Sequence, residues 1–255
     1  MNSVPAEQPQ GKSRRGKTAI FANSKGGVGK STLALMMSLG LATRHPNAHV
    51  ELIDLDSQAT SSDSLRRFAN HRFAIRNDDS LFLASGSPNN GNIINHIDSE
   101  PAHNRAKKFI VFDSPAGNEP SRSSFLWHCD VIFVPTSVSD ADIFATRKYL
   151  SSLKQLFERQ RRAYEDTHPA IVILPNLVDS REEFNELRNT LADCQAFIGN
   201  PLYYSPLFRK AFREQDDDGN IKALLQSYGA YIKWLTNIFA QCGELGPNPE
   251  KLFQL

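Results

Sequence analysis

The chain has 255 residues, and its 29 lysines and arginines nearly balance 28 aspartates and glutamates, for a formal net charge of +1. A charge that small excludes a polycation whose overall field would hold nucleic acid, so any such contact has to come from a local patch. The three cysteines, Cys129, Cys194 and Cys242, have no short spacing, which excludes a disulfide framework and a paired-cysteine metal site and points to a reducing cytoplasm.

In chain order, residues 1–17 are polar, with Pro5, Pro9 and a basic cluster of Lys12, Arg14, Arg15 and Lys17. They lack the apolar core of a signal peptide and are expected to form a disordered basic tail. Residues 18–22 read as a short buried strand running into a glycine-rich turn, and 31–43 as a helix rich in Leu, Ala and Met. Strands are expected at 49–55, at 109–112 ending on Asp113, at 131–134, and at 170–174 followed by Asn176. A long helix is expected over 141–162, another over 181–197, and a short strand over 202–204. Helix 206–214 is separated from a final helix, 221–241, by the turn-forming run 216–220.

Strands alternating with helices predict an α/β fold, doubly wound, whose mainly parallel sheet carries helices on both faces. No repeat or long linker divides it, so residues 18–242 are expected to be one domain and 243–255 a C-terminal tail. Residues 71–100, with turn-like runs at 77–80 and 85–92, read as an excursion between the second and third core strands. No apolar stretch approaches the roughly 18 residues that a bilayer span requires.

The most informative stretch is Ser24-Lys25-Gly26-Gly27-Val28-Gly29-Lys30-Ser31-Thr32, placed between a strand and a helix. Glycines there let successive backbone N–H groups point into one concavity, and the helix dipole behind them favours an anion. Lys30 is placed to reach β and γ phosphates, and the Ser31 hydroxyl to ligate Mg²⁺. Further on, the apolar strand Phe109-Ile110-Val111-Phe112 ends on Asp113, in position to hold Mg²⁺ through water. Asp54 and Asp56 close an earlier strand, two residues apart and therefore on one side of it.

The loop departs from the ordinary GxxxxGK[ST] pattern, with Ser24 in place of the first glycine and a second lysine, Lys25, after it. In this it resembles the ParA/MinD family of deviant Walker ATPases, whose signature is KGGxGK[ST]. The Asp54-Leu55-Asp56-Ser57-Gln58 run is similar to that family's DxDxQ stretch. The likeness extends over about residues 19–238, with specific motifs only in the first 120 or so. It implies a P-loop ATPase that binds Mg-ATP and forms a homodimer around it. Lys25 would reach phosphates held by the partner subunit, where a second cation would offset charge building up during transfer. Asp56 would orient the attacking water, Asp54 would assist Mg²⁺ or its waters, and Ser114 to Asn118 would form a switch sensing the γ-phosphate. Asn176 falls where the family reads adenine with an amide. Pro115-Ala116-Gly117 stands where the family commonly has a proline pair, a departure that is more like the partition branch.

Within that family the sequence is most like the ParA-type partition ATPases, which bind DNA without sequence preference as dimers. Candidate phosphate-contacting cations are Arg161 and Arg162 after the long helix, and Arg209, Lys210 and Arg213 before the last one. The expected cycle is ATP-driven dimerisation and nucleoid association, then slow hydrolysis stimulated by a partner protein, to position a plasmid, a chromosome or other cargo. A MinD-like membrane-associated ATPase is the alternative, but it calls for a basic amphipathic C-terminal helix. Residues 246–255 carry one cation, so membrane is not an expected partner. A secretion or conjugation apparatus as cargo is a further alternative that the residues do not separate.

Overall fold

The structure is a computed structural model that describes residues 16–56, 62, 66–70, 73–77, 79–99, 107–160, 169–210 and 219–242. Its elements begin with β1 (Lys17–Phe21), α1 (Lys30–Arg44), β2 (His49–Asp54), β3 (Phe73–Arg76) and α2 (Asp79–Phe82). The two-residue strands β4 (Leu83–Ala84) and β5 (Ser87–Pro88) follow, then α3 (Asn90–Asp98), β6 (Lys108–Asp113) and β7 (Val131–Thr136). Next come α4 (Asp140–Gln160), β8 (Ala170–Val178), α5 (Arg181–Thr190), β9 (Phe197–Ile198) and β10 (Leu202–Tyr203). The chain ends in α6 (Pro206–Lys210), α7 (Gly219–Ser227) and α8 (Gly229–Gln241).

Eight strands form one sheet in the order β10-β8-β7-β1-β6-β2-β3, with β9 also on β8, and every pairing in it is parallel. Only the β4–β5 hairpin is antiparallel among the described residues. Parallel strands need crossovers, and the helices that make them cover both faces of the sheet. Alternate side chains of each strand therefore enter two separate cores. Phe21, Leu52, Val111 and Phe133 face α1, α7 and α8. Ile20, Ile53, Phe112 and Ile132 face α3, α4 and α5. Close helix packing under the first face depends on Gly40, where a Cβ would lie 2.3 Å from Ile232 Cγ2. Lys17 donates from its ammonium to the carbonyl oxygens of Ala240 and Cys242, satisfying the end of α8.

Registers align the strand ends that matter. Phe21 and Asp54 both lie opposite Asp113. Because β1 sits between β6 and β7, and the chain crosses from one side to the other there, the sheet's switch point lies at the carboxyl end of β1. In open parallel sheets this crevice is where ligands bind.

The structure changes several expectations. Residues 73–76 are not part of an excursion: they form β3, the edge strand beside β2, and Ile93 and Ile97 of α3 are buried on the same sheet. The helix expected over 181–197 stops at Thr190, because Phe197 and Ile198 pair with Val172 and Ile173. The last helix is broken at Tyr228, whose ring packs 4.9 Å from that of Phe208. Asn176 lies inside β8, not after it. Lys17, assigned to the tail, opens β1. The remaining tail, residues 1–15, and residues 243–255 lie outside the described residues, as do Ser57, Gln58, Arg161, Arg162 and Arg213.

Candidate functional site

The loop between β1 and α1 brings two lysines to one place and sends them apart. Gly29 takes a left-handed conformation with φ 92°, and α1 starts from it with no side-chain cap and no acid in its first turn. Its leading amides and dipole are thus left for an anion, and Ser31 and Thr32 are half-buried at that end. Lys30 is buried, and its Nζ donates to the Lys25 carbonyl oxygen at 2.9 Å, bending back across the loop. Burial lowers the pKa of its ammonium, while the charges of Asp113 and Asp56 pull it back up. A phosphate there would replace a weak carbonyl partner with a charged one.

Lys25 points the other way. Its side chain is 46% exposed, with Nζ 3.8 Å from Asp142 Oδ1 in the first turn of α4. Gly26 and Gly27 are exposed and Val28 is buried. Gly27 also has a positive φ of 78°.

The carboxylates gather below the loop. Asp113 is 1% exposed at the end of β6. Asp54, equally buried, accepts the backbone N–H groups of Asp56 and Ser62, each at 3.0 Å. Burial raises the pKa of its carboxyl against those two hydrogen bonds. Asp54 thus organises the backbone that carries Asp56, a local role not legible in its spacing. Asp56 is half-buried, and its charge acts on Lys30. The segment after Asp113 leans on the loop: Gly117 N donates to the Ser24 carbonyl at 2.8 Å, and a Cβ on Gly26 would touch Ala116 at 3.6 Å. Ser114 Oγ and Asn118 Nδ2 are buried there with no partner among the described residues.

A cleft of about 660 Å³ opens beside the loop, lined by Gly27, Gly29, Thr32, Asn176, Tyr204 and Phe208 among others. Asn176 Nδ2 donates to the Val28 carbonyl at 2.8 Å, so the amide braces the loop from β8. Its Oδ1 is buried without a partner among the described residues, an acceptor suited to a donor group such as an exocyclic amine. An uncapped helix start, a buried lysine in the loop and this acceptor on the cleft wall beside Gly29 form a set of groups that fits a nucleoside triphosphate. Ser31, Asp113 and Asp54 are oxygen ligands of the type that Mg²⁺ takes.

Asp142 carries no motif and was not a candidate, and Tyr204 and Phe208, which belong to the 203–221 stretch expected to help bind DNA, line the cleft instead. Asn23 was missed too, although a polar residue between an apolar strand and a glycine loop was a visible signal. Of the basic candidates, Lys210 is described with its side chain, and it is not among the residues that line this cleft. Lys210 is exposed at the end of α6, and Arg209 belongs to the same helix, its side chain outside what is described.

Residues 19–220 match the family model of the CobQ/CobB/MinD/ParA nucleotide binding domain. No curated protein is matched by sequence. Apo McdA of Cyanothece is 16% identical, covers 85% of this chain and 96% of its own, and superposes with a TM-score of 0.61; a variant of it complexed with ATP gives 0.55. A ParA family ATPase from Chlorobium tepidum TLS is 15% identical over 87% of this chain and 98% of its own, with a TM-score of 0.59. The pNOB8 ParA bound to nonspecific DNA is 14% identical over 90% and 98%, with a TM-score of 0.51. Identities this low speak for the fold, whereas the family match spans most of the chain and includes the loop, both acid-tipped strands and Asn176. On that match, this chain belongs to the CobQ/CobB/MinD/ParA family of nucleotide-binding domains.

Proposed function

We propose that the chain is a ParA-type ATPase: residues 18–242 bind Mg-ATP, dimerise around it, hold DNA without sequence preference and hydrolyse ATP slowly to position a cargo. The observation that carries this reading is the opposite course of the two lysines. Lys30 is buried in its own loop, while Lys25 stands about half exposed at its rim. A cation facing out of a phosphate loop suits phosphates held by a second copy of the chain.

In this reading Lys30 and the amides of Gly26 to Thr32 hold the triphosphate, Asn176 accepts from the adenine amine, and Lys25 offsets charge at the partner's γ-phosphate. Asp56 orients the attacking water, positioned by the amide contact with Asp54. Mg²⁺, held by Ser31 and Asp113 with Asp54 assisting its waters, would neutralise phosphate charge. Ser114 to Asn118, hydrogen-bonded to Ser24, would transmit the state of the nucleotide to the dimer face.

DNA binding is supported by the exposed Lys210 on α6 and by the pNOB8 ParA, which was solved on nonspecific DNA. Arg209 of the same helix, with Arg161, Arg162 and Arg213, would add phosphate contacts. Such contacts would weaken steeply with salt. A ParB-like or equivalent adaptor would stimulate hydrolysis and so release the DNA. No described helix is long and apolar enough to cross a membrane.

The deciding experiment measures size and DNA binding without nucleotide, with ADP and with ATP, for wild type and Asp56→Ala. Asp56→Ala is expected to accumulate an ATP-bound dimer that stays on DNA. A chain that remains monomeric in all three conditions, with no ATP-dependent affinity for DNA, sinks the reading. Sedimentation with anionic liposomes tests the membrane alternative.

A further inference from the structure

A buried polar chain outside the recognised motifs connects the loop to α4. Asn23, Thr136 and Thr146 are each 0% exposed, and none of them lines the nucleotide cleft. Asn23 Nδ2 donates to the Pro135 carbonyl at 2.8 Å and to Thr146 Oγ1 at 3.0 Å, and its Oδ1 accepts the Lys25 backbone N–H at 3.2 Å. Thr146 Oγ1 in turn donates to Thr136 Oγ1 at 2.9 Å, and Thr136 Oγ1 to the Ser137 carbonyl at 3.2 Å.

The direction of each proton in this chain is determined. Thr136 gives its hydroxyl proton to Ser137 and Thr146 gives its own to Thr136, which leaves Thr146 Oγ1 to accept from Asn23. Both donors of the Asn23 amide are then spent on β7 and α4, so its oxygen has one orientation, towards Lys25. An apolar trio could fill the same space, but it would leave the Lys25 amide without that anchor. Satisfied buried networks of this kind impose one arrangement on the groups they join. The other end of Lys25 meets the same helix, since its ammonium is 3.8 Å from Asp142, which also accepts from the Ser137 hydroxyl. The β7–α4 turn thus holds this lysine at its backbone and at its tip.

We propose that Asn23, through Thr146 and Thr136, is a positioning residue for Lys25. It fastens the outward lysine to α4, so that loop and helix move together and the reach of Lys25 depends on where α4 lies. This rests on the reading of Lys25 as a cation acting on phosphates of a second copy. The bridge touches no phosphate-binding group directly, so its effect falls on turnover and not on nucleotide capture.

The test compares Thr146→Val, which removes the hydroxyl at nearly constant volume, with Thr146→Ser, which keeps it, and Asn23→Asp, which keeps the acceptor but loses the two donors. Steady-state turnover of Mg-ATP is separated into kcat and KM, and affinity is read with a fluorescent ADP analogue. Thr146→Val and Asn23→Asp are expected to lower kcat about tenfold with KM and analogue affinity within about twofold, because the lysine is misplaced and not removed. Thr146→Ser should stay within about threefold of wild-type kcat. Wild-type kcat in Thr146→Val and Asn23→Asp overturns the inference. So does a parallel loss of kcat and affinity that serine does not restore, and so does failure of both variants to fold, since each marks a structural role. A wild type without ATP turnover overturns the ATPase reading and this inference with it; turnover in wild type without the kcat split overturns this inference alone.

Discussion

Lys25 Nζ lies 3.8 Å from Asp142 Oδ1, so the outward lysine of the phosphate loop is engaged within its own chain. To act on phosphates elsewhere it must leave that carboxylate. Lys25→Ala is therefore expected to keep nucleotide affinity within about threefold while turnover falls about a hundredfold, the scale of losing one charge-stabilising donor. Single-turnover hydrolysis beside nucleotide titration checks this, and a variant as active as wild type would demote Lys25 to a bystander. Asp142→Asn removes the competing charge and should raise ATP-dependent dimerisation, most clearly at low ionic strength.

Gly29 and Asn176 are in contact across the loop: a Cβ on Gly29 would lie 2.1 Å from Asn176 Nδ2, on a backbone with φ 92°. Gly29→Ala is expected to cost about 1–2 kcal/mol for the left-handed backbone alone. Displacement of the Asn176 amide from Val28 adds to that. Melting temperature and nucleotide affinity should both drop, and adding Asn176→Ala should restore part of the melting temperature but not the affinity. No recovery of stability in the double variant would show that the clash is not the cause.

Glu51 is a buried acid in the middle of β2, 2.8 Å from His96 Nε2 and 3.2 Å from both Lys108 Nζ and Arg76 Nε. Burial pushes its carboxyl up, but the hydrogen bond from His96 and the charge of Lys108 outweigh this and hold it at about 2, below the usual 4.5. The folded chain therefore releases this proton more readily than the unfolded one. The resulting stability is fully present above about pH 4.5 and is lost as pH falls towards 2. Glu51→Gln should destabilise by on the order of 3 kcal/mol at pH 7 and by much less near pH 2. Urea unfolding at both pH values checks it; an equal deficit at both would contradict this account.

Gly40 lets α1 approach α8, since a Cβ there would lie 2.3 Å from Ile232 Cγ2 and 3.1 Å from Thr236 Cγ2. Gly40→Ala should destabilise by about 1–3 kcal/mol through overpacking, despite the better helix propensity of alanine. Ile232→Ala in the same chain should reduce that deficit, measured as a shift in urea midpoint; two additive losses would argue against the contact.

Much of the fold was legible because its signals are local. Apolar strands ending in Asp54 and Asp113, a glycine loop and a Leu- and Ala-rich helix each declare themselves within a few residues, and alternation of strands and helices implies a parallel sheet. β3 was not legible: Phe73 to Arg76 is short, and only pairing with β2 makes it a strand. The end of α5 was misplaced because Phe197 and Ile198 are recruited by β8, a partner distant in sequence. The break at Tyr228 likewise reflects packing against Phe208, which no periodicity announces.

The site divides in the same way. The expectation that Gly26 to Ser31 hold phosphate comes from the sequence by itself, because backbone amides in a glycine turn before a helix need no distant partner. What Lys25, Asp54 and Asn176 touch was decided only by tertiary structure. Lys25 meets Asp142 and is anchored through Asn23 to Thr146; Asp54 holds the backbone of Asp56; Asn176 braces Val28. These contacts join residues on different strands and helices, and they exist only because the parallel sheet brings the ends of β1, β2, β6, β7 and β8 to one edge.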